Sequence, residues 1–397
     1  MDRRKFIATL SAISAGAAFN NVLAQQTHLS ASGTKLLPLL VSPFSSEIVL
    51  NSRLSYHSGY GGTLSPQIVS NVLWATAQAP RIGQSRSIYI ALPDNVYRFN
   101  PARNVIFVHK QGNHLSEPEL AFEVGIASDL VEDAGTAGQY GLLASVSFWT
   151  DTNNQPCCCP KESAVIYAND NWEPDSEIHM VNCFGNLGTV RGITDELVAI
   201  SSDQSLPNPS TDGTMLLEDA FADLRYENQF EENELDLNQI SQIAWSSYGC
   251  TPHFSIGKAA LTSPSAIANY YLTRRIYIVR SEGVERYHIR LPSGQPSTRD
   301  HRIERVTNGD MRQELRAAVS RLPQTAPNYF VFCAANAGDF QLLEAGFCGA
   351  NALLQATSIG LKGYFTAEFS SEERTAIINA LSIPSGDLPL LVFSAGA

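Results

Sequence analysis

The pattern of apolar and polar positions in this chain repeats itself. The segment LSPQIVSNVLWATAQ, residues 64–78, aligns without a gap with LDLNQISQIAWSSYG, residues 235–249. In both segments apolar residues recur at steps of three and four, which places them on one face of an α-helix. Ser65 precedes a proline at the first helical position, and Asp236 precedes a glutamine by three residues, as in a capping box. We therefore predict a helix in each segment, the second ending near Gly249.

Three further blocks repeat in the same order. SRSIYIALPDNVYRFN aligns with TRRIYIVRSEGVERYHI, allowing a one-residue slip, and each predicts two strands joined by a turn. VIFVHKQGN then aligns with RIERVTNGD. AGTAGQYGLLASVSFW, residues 134–149, aligns with AGFCGANALLQATSIG, residues 345–360. Small residues at helical spacing in this last pair predict long helices that pack closely against a neighbour.

The order of these elements predicts the fold class. Each half closes with a run that favours a strand, SAVIYAN from Ser163 and LPLLVFSAG from Leu388. Helix, hairpin, long helix and strand in that order predict an α+β fold, with helices packed around a mainly antiparallel sheet. We interpret the chain as two copies of one such unit.

The N-terminus predicts export. Arg3 and Arg4, followed by a modest apolar stretch, resemble a twin-arginine signal, and Val22 and Ala24 offer positions for a signal peptidase. The stretch is too short and too rich in Gly, Ser and Asn to span a bilayer. A frayed amphipathic helix of a cytoplasmic protein is the alternative. We expect a periplasmic protein, or one otherwise exported by the twin-arginine pathway, and this route favours a bound redox group because it carries proteins that are already folded.

Together these features divide the chain into five segments. They are the export signal at residues 1–24, an N-terminal extension at 25–62, a degenerate first copy at 63–200, a polar linker with one short helix at 201–233, and the second copy at 234–397.

Composition excludes several classes of partner. The chain has 397 residues, of which 44% are hydrophobic, so it can bury a sizeable core. Its net charge is -12, and no cluster of Lys or Arg lies outside the extreme N-terminus. We therefore expect no nucleic-acid partner. No long apolar run lies outside the N-terminal stretch, so we also expect no stable membrane insertion.

The cysteines do not predict a metal site. Cys157, Cys158 and Cys159 are adjacent, and neighbouring side chains in extended backbone point to opposite faces, so they rarely converge on one ion. The chain has no CxxC pair, no GxSxG elbow, no phosphate-binding GxxxxGK[ST] and no HExxH. An oxidising compartment is compatible with one disulfide. Cys333, in the apolar run YFVFCAA, is expected in the core.

The second copy resembles the nitroreductase-like flavoproteins, most of all the branch of azoline-oxidising peptide dehydrogenases. The resemblance covers residues 235–396 in order and rests on ISQIAWSSYG, SPSA, RRIYIV, VERYHI, HRIERVTNGDMRQELRAAV, EAGFCGANALLQATSIGLKGYF and LPLLVFSAG. It covers the first copy only faintly. The resemblance implies homodimers that bind FMN between their subunits. Two copies in one chain would then form an intrachain pseudo-dimer, a monomer with one flavin cleft.

The resemblance also implies which residues would hold the cofactor. The SPSA loop would run beside the flavin ring, and a basic or glycine-containing segment would hold its phosphate. The residues implied are Ser263, Pro264 and Ser265 in the loop, Lys258, Lys362 and Gly363 toward the phosphate, and Asn351 on the long helix. The alternatives to cofactor binding are that the loop is an ordinary ordered turn, that Lys362 is a solvated surface residue, and that Asn351 is purely structural. The chain departs from the family at Leu261 and Ile267, where members commonly have Arg and Gly.

Two functions follow from the resemblance. The first is an FMN-dependent oxidoreductase acting on a small-molecule or peptide substrate, with a possible redox partner, and with proton donors among His253, Tyr270, Tyr271 and Tyr287. An aromatic residue beside a strand is more often part of the core. The second is a catalytically silent pseudo-dimer that acts as a binding or maturation module. The missing Arg and the short first copy favour the second function, whereas the export signal and the SPSA loop favour the first.

Overall fold

The computed structural model describes residues 33–55, 60–61, 64–148, 162–187, 198–199, 205–255, 258–265, 269–289 and 298–397. Within these residues the helices are α1 (Ser46–Ser52), α2 (Pro66–Gln78), α3 (Val131–Val146), α4 (Glu162–Trp172), α5 (Leu217–Ala222), α6 (Leu237–Tyr248), α7 (Arg312–Ala318), α8 (Asp339–Ser358) and α9 (Ser371–Leu381). The strands are β1 (Thr34–Lys35), β2 (Tyr60–Gly61), β3 (Arg86–Ala91), β4 (Asn95–Asn100), β5 (Val105–Gln111), β6 (Phe122–Ser128), β7 (Ile178–Phe184), β8 (Asn186–Leu187), β9 (Val198–Ala199), β10 (Cys250–Ser255), β11 (Lys258–Leu261), β12 (Ile276–Arg280), β13 (Gly283–His288), β14 (Thr298–Arg299), β15 (Arg302–Asn308), β16 (Asn328–Ala334), β17 (Lys362–Thr366) and β18 (Leu388–Gly396). None of the helices in these ranges is long and apolar enough to cross a bilayer.

Two six-stranded sheets have the same order over five of their strands. The first runs β1-β5-β4-β3-β6-β7 and the second β15-β13-β12-β16-β18-β17. Without the edge strands β1 and β17, the orders correspond strand for strand along the chain. Every pairing within the two sheets is antiparallel. The predicted α+β architecture of two similar units is therefore confirmed. We call α2 to β7 the first unit and α6 to β18 the second unit.

The hairpins of the two units also agree in register. Tyr89 of β3 faces Arg98 of β4, and Tyr277 of β12 faces Arg286 of β13. The repeated letters IYI therefore occupy the same place in both sheets, as the sequence alignment predicts.

The predicted helix starts are confirmed. Ser65 accepts the backbone N–H of Gln67 at 3.2 Å at the start of α2. At the start of α6, Asp236 and Gln239 form a complete capping box. These caps satisfy N–H groups that the first turn of a helix leaves unpaired. Helix α6 ends at Gly249, as predicted.

One predicted strand is wrong. SAVIYAN, from Ser163, lies in helix α4, and the strand that closes the first unit is β7. Ala164, Ala168 and Trp172 are spaced by four residues and are buried in one cluster with the first sheet. Ile166 is 56% exposed on the opposite side. The Val-Ile pair favours a strand by propensity, but the four-residue spacing of the buried residues decides for a helix.

The elements stack in layers. Helix α4 covers the outer face of the first sheet, and α7 and α9 cover the outer face of the second. Helices α2, α3, α6 and α8 fill the space between the two sheets, where α3 and α8 pack against each other. We call this contact of α3 with α8 the seam. Leu343, Phe347, Ala350 and Leu354 of α8 belong to the same apolar cluster as the core of the first unit, so the two units share an interior.

The extension and the linker both pack against the first unit. Residues 36–40 run along α2, where the N–H of Leu37 donates to Ser70 Oγ at 3.0 Å. The short helix predicted in the linker is α5. Its Glu218 carboxylate accepts the N–H of Ser42 at 3.0 Å, so the linker and the extension are also joined to each other.

Candidate functional site

The loop that contains Ser263 is tied to the end of helix α6. Ser263 is fully buried, and its hydroxyl donates to the carbonyl of Ser247 at 2.6 Å. The hydroxyl of Thr262 donates to the carbonyl of Trp245 at 3.0 Å. Ser265 donates to the carbonyl of Asn269 at 2.7 Å. The loop is thus fixed by its own polar side chains.

A buried arginine from outside the second unit lies on this loop. Arg53 is 3% exposed, its Nη2 donates to the carbonyl of Leu261 at 2.7 Å, and its Nε donates to that of Thr262 at 3.0 Å. Arg53 was not among the predicted site residues, because the resemblance places the cation inside the loop, where this chain has Leu261. The structure supplies a guanidinium to the same loop from a position 209 residues earlier. A buried Arg just after an amphipathic helix gave no local signal of this contact.

Asn351 connects the loop to the first unit. Its Nδ2 donates to the carbonyl of Thr262 at 3.2 Å and to Ser263 Oγ at 3.3 Å, and its Oδ1 accepts Gln139 Nε2 at 2.8 Å. All these groups are buried, where a hydrogen bond is costly to lose. Asn351 therefore joins the Ser263 loop to the seam.

A buried carboxyl group lies farther along α8. Glu344 Oε1 accepts the Tyr248 hydroxyl and, at 3.0 Å, the N–H of Leu272. Glu344 Oε2 is buried and has no hydrogen-bond partner among the residues described. Burial raises the pKa of the Glu344 carboxyl to about 8, because a charge is poorly solvated there. At neutral pH this group is mostly a neutral acid, and its proton belongs on Oε2, since Oε1 already accepts two donors.

Two further ionisable groups near the loop are held neutral. Cys348 Sγ lies 3.5 Å from Ser263 Oγ, and burial raises the pKa of its thiol well above the ordinary value. His253 is buried with both ring nitrogens unpaired among the described residues. Burial, and then the positive charge of Arg53, lower the pKa of His253 to about 4. The guanidinium of Arg53 is therefore a fixed positive charge among neutral groups.

Two of the residues predicted toward a phosphate, Lys362 and Gly363, have other partners. Lys362 Nζ lies 3.4 Å from Glu227 Oε2. The N–H of Gly363 donates to the carbonyl of Arg225 at 2.9 Å, and its own carbonyl accepts the N–H of Glu227 at 3.0 Å. Lys258 pairs through β11 with Ser255. The structure thus brings Ser263 and Asn351 together, next to Pro264 and Ser265, whereas it places Lys362 and Gly363 on the linker.

The aromatic candidates differ in access. Tyr287 is fully buried, and its hydroxyl is 2.8 Å from His301 Nδ1, so it belongs to the core as its strand position suggests. Tyr270 and Tyr271 are half-buried. The ring of Tyr270 meets that of Tyr248 edge to face, with centroids 6.1 Å apart. Tyr270 thus lies beside Tyr248, whose hydroxyl donates to the Glu344 carboxyl.

Comparison with solved structures decides the fold. A protein assigned as a nitroreductase from Anabaena variabilis superposes with a TM-score of 0.57, covering 95% of this chain and 96% of that one, at 10% identity. The chain has a nitroreductase-like fold. At this level of identity the likeness shows the fold alone. Neither a protein-family model nor a curated protein matches the sequence.

Two more nitroreductase-like structures match over shorter stretches. One, assigned as a nitroreductase from Ralstonia eutropha, is 22% identical and covers 52% of this chain and 95% of its own, with a TM-score of 0.39. The other is the E. coli microcin synthetase McbBCD complex, with 19% identity, 42% and 66% coverage and a TM-score of 0.33. Neither superposition is close enough to support an argument of its own.

The buried groups around the Ser263 loop fit a flavin in part. Gln139 Oε1 and Glu344 Oε2 are buried oxygens without a partner among the described residues, and such atoms are the kind that a polar ligand satisfies. Toward a phosphate, Gly363 does not fit. The N–H of Gly363 is already used, and a side chain there would overlap the ring of Phe393.

Proposed function

We propose that this chain is an exported FMN-dependent oxidoreductase of the nitroreductase-like type, with a single flavin cleft beside the Ser263 loop. The observation that carries the proposal is the buried guanidinium of Arg53 on the carbonyls of Leu261 and Thr262. A fixed positive charge next to neutral polar groups is a suitable setting for a ring that gains negative charge on reduction.

The residues have distinct proposed roles. Arg53 holds the loop and provides the positive charge. Glu344 stores a proton at Oε2 near neutral pH, and Tyr248 fixes the other carboxyl oxygen. Asn351 and Gln139 set the distance between the two units at the seam. A bound flavin would supply the hydride and electron transfer, while the chain orients the substrate.

The proposal leaves the phosphate to groups other than Lys362 and Gly363, since both contact the linker. We propose a small-molecule or peptide substrate and a redox partner in the periplasm. The chain would act as a monomer, because a covalent pseudo-dimer already contains both units and shares one interior.

A second candidate is the catalytically silent binding or maturation module. It is favoured by one specific observation. The polar donors of the loop are already used within the protein, Ser263 by Ser247 and Ser265 by Asn269. Sites built for a ligand usually keep such groups directed into an open pocket.

The visible absorption spectrum separates the two functions. The chain is expressed with its N-terminal signal in cells that export it and is purified from the exported fraction, and flavin is measured per chain after denaturation. The oxidoreductase predicts about one FMN per chain, or saturable FMN binding by the purified protein. A well-folded, colourless protein that also rejects added FMN would overturn the proposal and leave the silent module.

A further inference from the structure

A second concave site lies wholly within the first unit. It is a cavity of about 470 Å³ between the end of α2 and the face of β3, β4 and β5. This volume is within the usual range for pockets that hold small molecules. Its lining contains three arginines, Arg81, Arg86 and Arg98, and two phenylalanines. Phe107 stands opposite Arg98 in the β4–β5 pairing and is half-buried, whereas Phe99 is 5% exposed and lies on the other face of β4.

The cavity lies at a short connection of the first unit. The first unit passes from Gln78 at the end of α2 to Arg86 at the start of β3. The second unit passes instead from Tyr248 to Ile276 through β10, β11 and the Ser263 loop. That longer segment supplies Cys250, Leu261 and Leu272 to the core over Tyr287, the counterpart of Phe99 in the hairpin register. The first unit has no counterpart of these three residues, and the cavity lies at its shorter connection.

The three arginines are unequally neutralised. Arg86 forms a buried ion pair with Asp133, where Nε and Oδ2 are 2.7 Å apart. Arg98 pairs with Asp175, about half exposed, and donates to Ser87 Oγ at 3.0 Å. Arg81 is exposed, and its Nη1 donates to the carbonyl of Gln84 at 3.3 Å.

Arg81 is therefore the cation available to a ligand. Across the described ranges, no carboxylate pairs with it. The nearby carboxylate of Asp129 does not line the cavity and accepts the N–H groups of Gln84 and Ser85 at 2.9 and 3.1 Å. An arginine presents a planar fork that matches the two oxygens of a carboxylate.

We propose that this cavity binds an organic carboxylate with an aromatic or aliphatic body. The carboxylate pairs with Arg81 at the rim, assisted by Arg98, and the body lies on Phe107. The half-buried ring of Phe107 disfavours a bare inorganic anion, which has no apolar surface to bury there. The site does not depend on a flavin, because every lining residue belongs to the first unit.

Calorimetric titration tests the proposal on the full chain. The probe is 3-phenylpropionate, and its neutral amide has the same body without the charge. We expect saturable binding of the acid, and the amide should bind at least about tenfold more weakly, because one charge-assisted hydrogen-bond pair is lost. Equal binding of acid and amide would overturn the proposal, as would inorganic phosphate that competes as well as the acid.

Variants locate the site. Arg81→Gln should weaken binding of the acid by about tenfold or more, and Arg81→Lys should weaken it less, because the charge stays but the fork is lost. Arg81 is exposed, so both variants should keep the wild-type melting temperature. The matched control is Arg225→Gln, which removes an exposed guanidinium near Gly360 in the second unit. Unchanged affinity in Arg81→Gln, or an equal loss in Arg225→Gln, would show that the cavity is not the binding site.

Discussion

Gly135 and Gly346 occupy equivalent positions on α3 and α8, and each lies against the backbone carbonyl of the residue three positions before the other. Gly135 faces Leu343, and Gly346 faces Glu132. A contact that maps onto itself when the partners are exchanged is the mark of a two-fold interface. In this chain the two units form such an interface within one molecule. The repeated Ala-Gly pairs in the sequence lie at this contact.

The reciprocal contact predicts that both glycines are needed. Gly135→Ala and Gly346→Ala place a methyl group on the opposite backbone, which cannot rotate away, so each should destabilise the fold by about 1–3 kcal/mol. Urea unfolding followed by circular dichroism measures the loss. Gly386→Ala is the matched control, because nothing lies near a side chain there. Equal stability of all three variants would show that the helices are farther apart than described.

We expect Arg53 to hold the Ser263 loop, because its guanidinium donates to two carbonyls of the loop at once. Arg53→Met leaves the carbonyls of Leu261 and Thr262 without these donors and should cost about 2–4 kcal/mol of unfolding free energy. Arg53→Lys should fall in between, because an ammonium lacks the fork that reaches both carbonyls.

A charge readout separates this role from simple packing. With Arg53→Met the pKa of His253, held at about 4 by burial and by the arginine, should rise when followed by NMR. Arg225→Gln is the exposed control for both measurements. A His253 titration that is identical in wild type and Arg53→Met would contradict the proximity of the two side chains.

Glu344 makes stability depend on pH in a defined window. Its pKa is about 8 in the folded protein, against an ordinary value of 4.5. Between these values the folded chain binds more protons than the unfolded chain, so stability is full below about pH 4.5 and falls as the pH rises toward 8. Glu344→Gln keeps an acceptor for Tyr248 and should remove this loss, worth on the order of a few kcal/mol.

The measurement is urea unfolding of wild type and Glu344→Gln at several pH values. Glu132, Glu123 and Glu218 also have raised pKa values, but they are common to both proteins and cancel in the difference. Glu314→Gln serves as an exposed control on α7. The free energy of unfolding of Glu344→Gln, relative to that of wild type, should increase as the pH rises. If the two proteins show the same change of unfolding free energy with pH, Glu344 is not a buried neutral acid.

Sequence patterns predicted the local elements well where the apolar period was clear. The helices that begin after Ser65 and Asp236 and the repeated IYI strands are confirmed with their registers. Helix α4 was predicted as a strand, because its apolar run is short and contains the β-branched pair Val165-Ile166. Most of the residues that α4 buries are small, so their four-residue spacing gives a weak helical pattern. Local propensity is overridden when packing selects a different face.

The candidate site was less accessible to prediction. Ser263 of the loop and Asn351 of α8 were singled out and lie together, but the partners of this site come from distant parts of the chain. Arg53 reaches Thr262, next to Ser263, across 209 residues, and Gln139 reaches Asn351 across 212. Such contacts depend on how two units are docked, which no short-range pattern encodes. The engagement of Gly363 by the linker was hidden for the same reason.

The shared interior also sets an order of events during synthesis. Leu343 and Phe347 complete the core of the first unit, yet the ribosome makes them long after that unit's own strands. The early part of the nascent chain must therefore wait, with apolar surface uncovered, until α8 has emerged. We therefore expect a chaperone that shields this surface to raise the yield of folded protein.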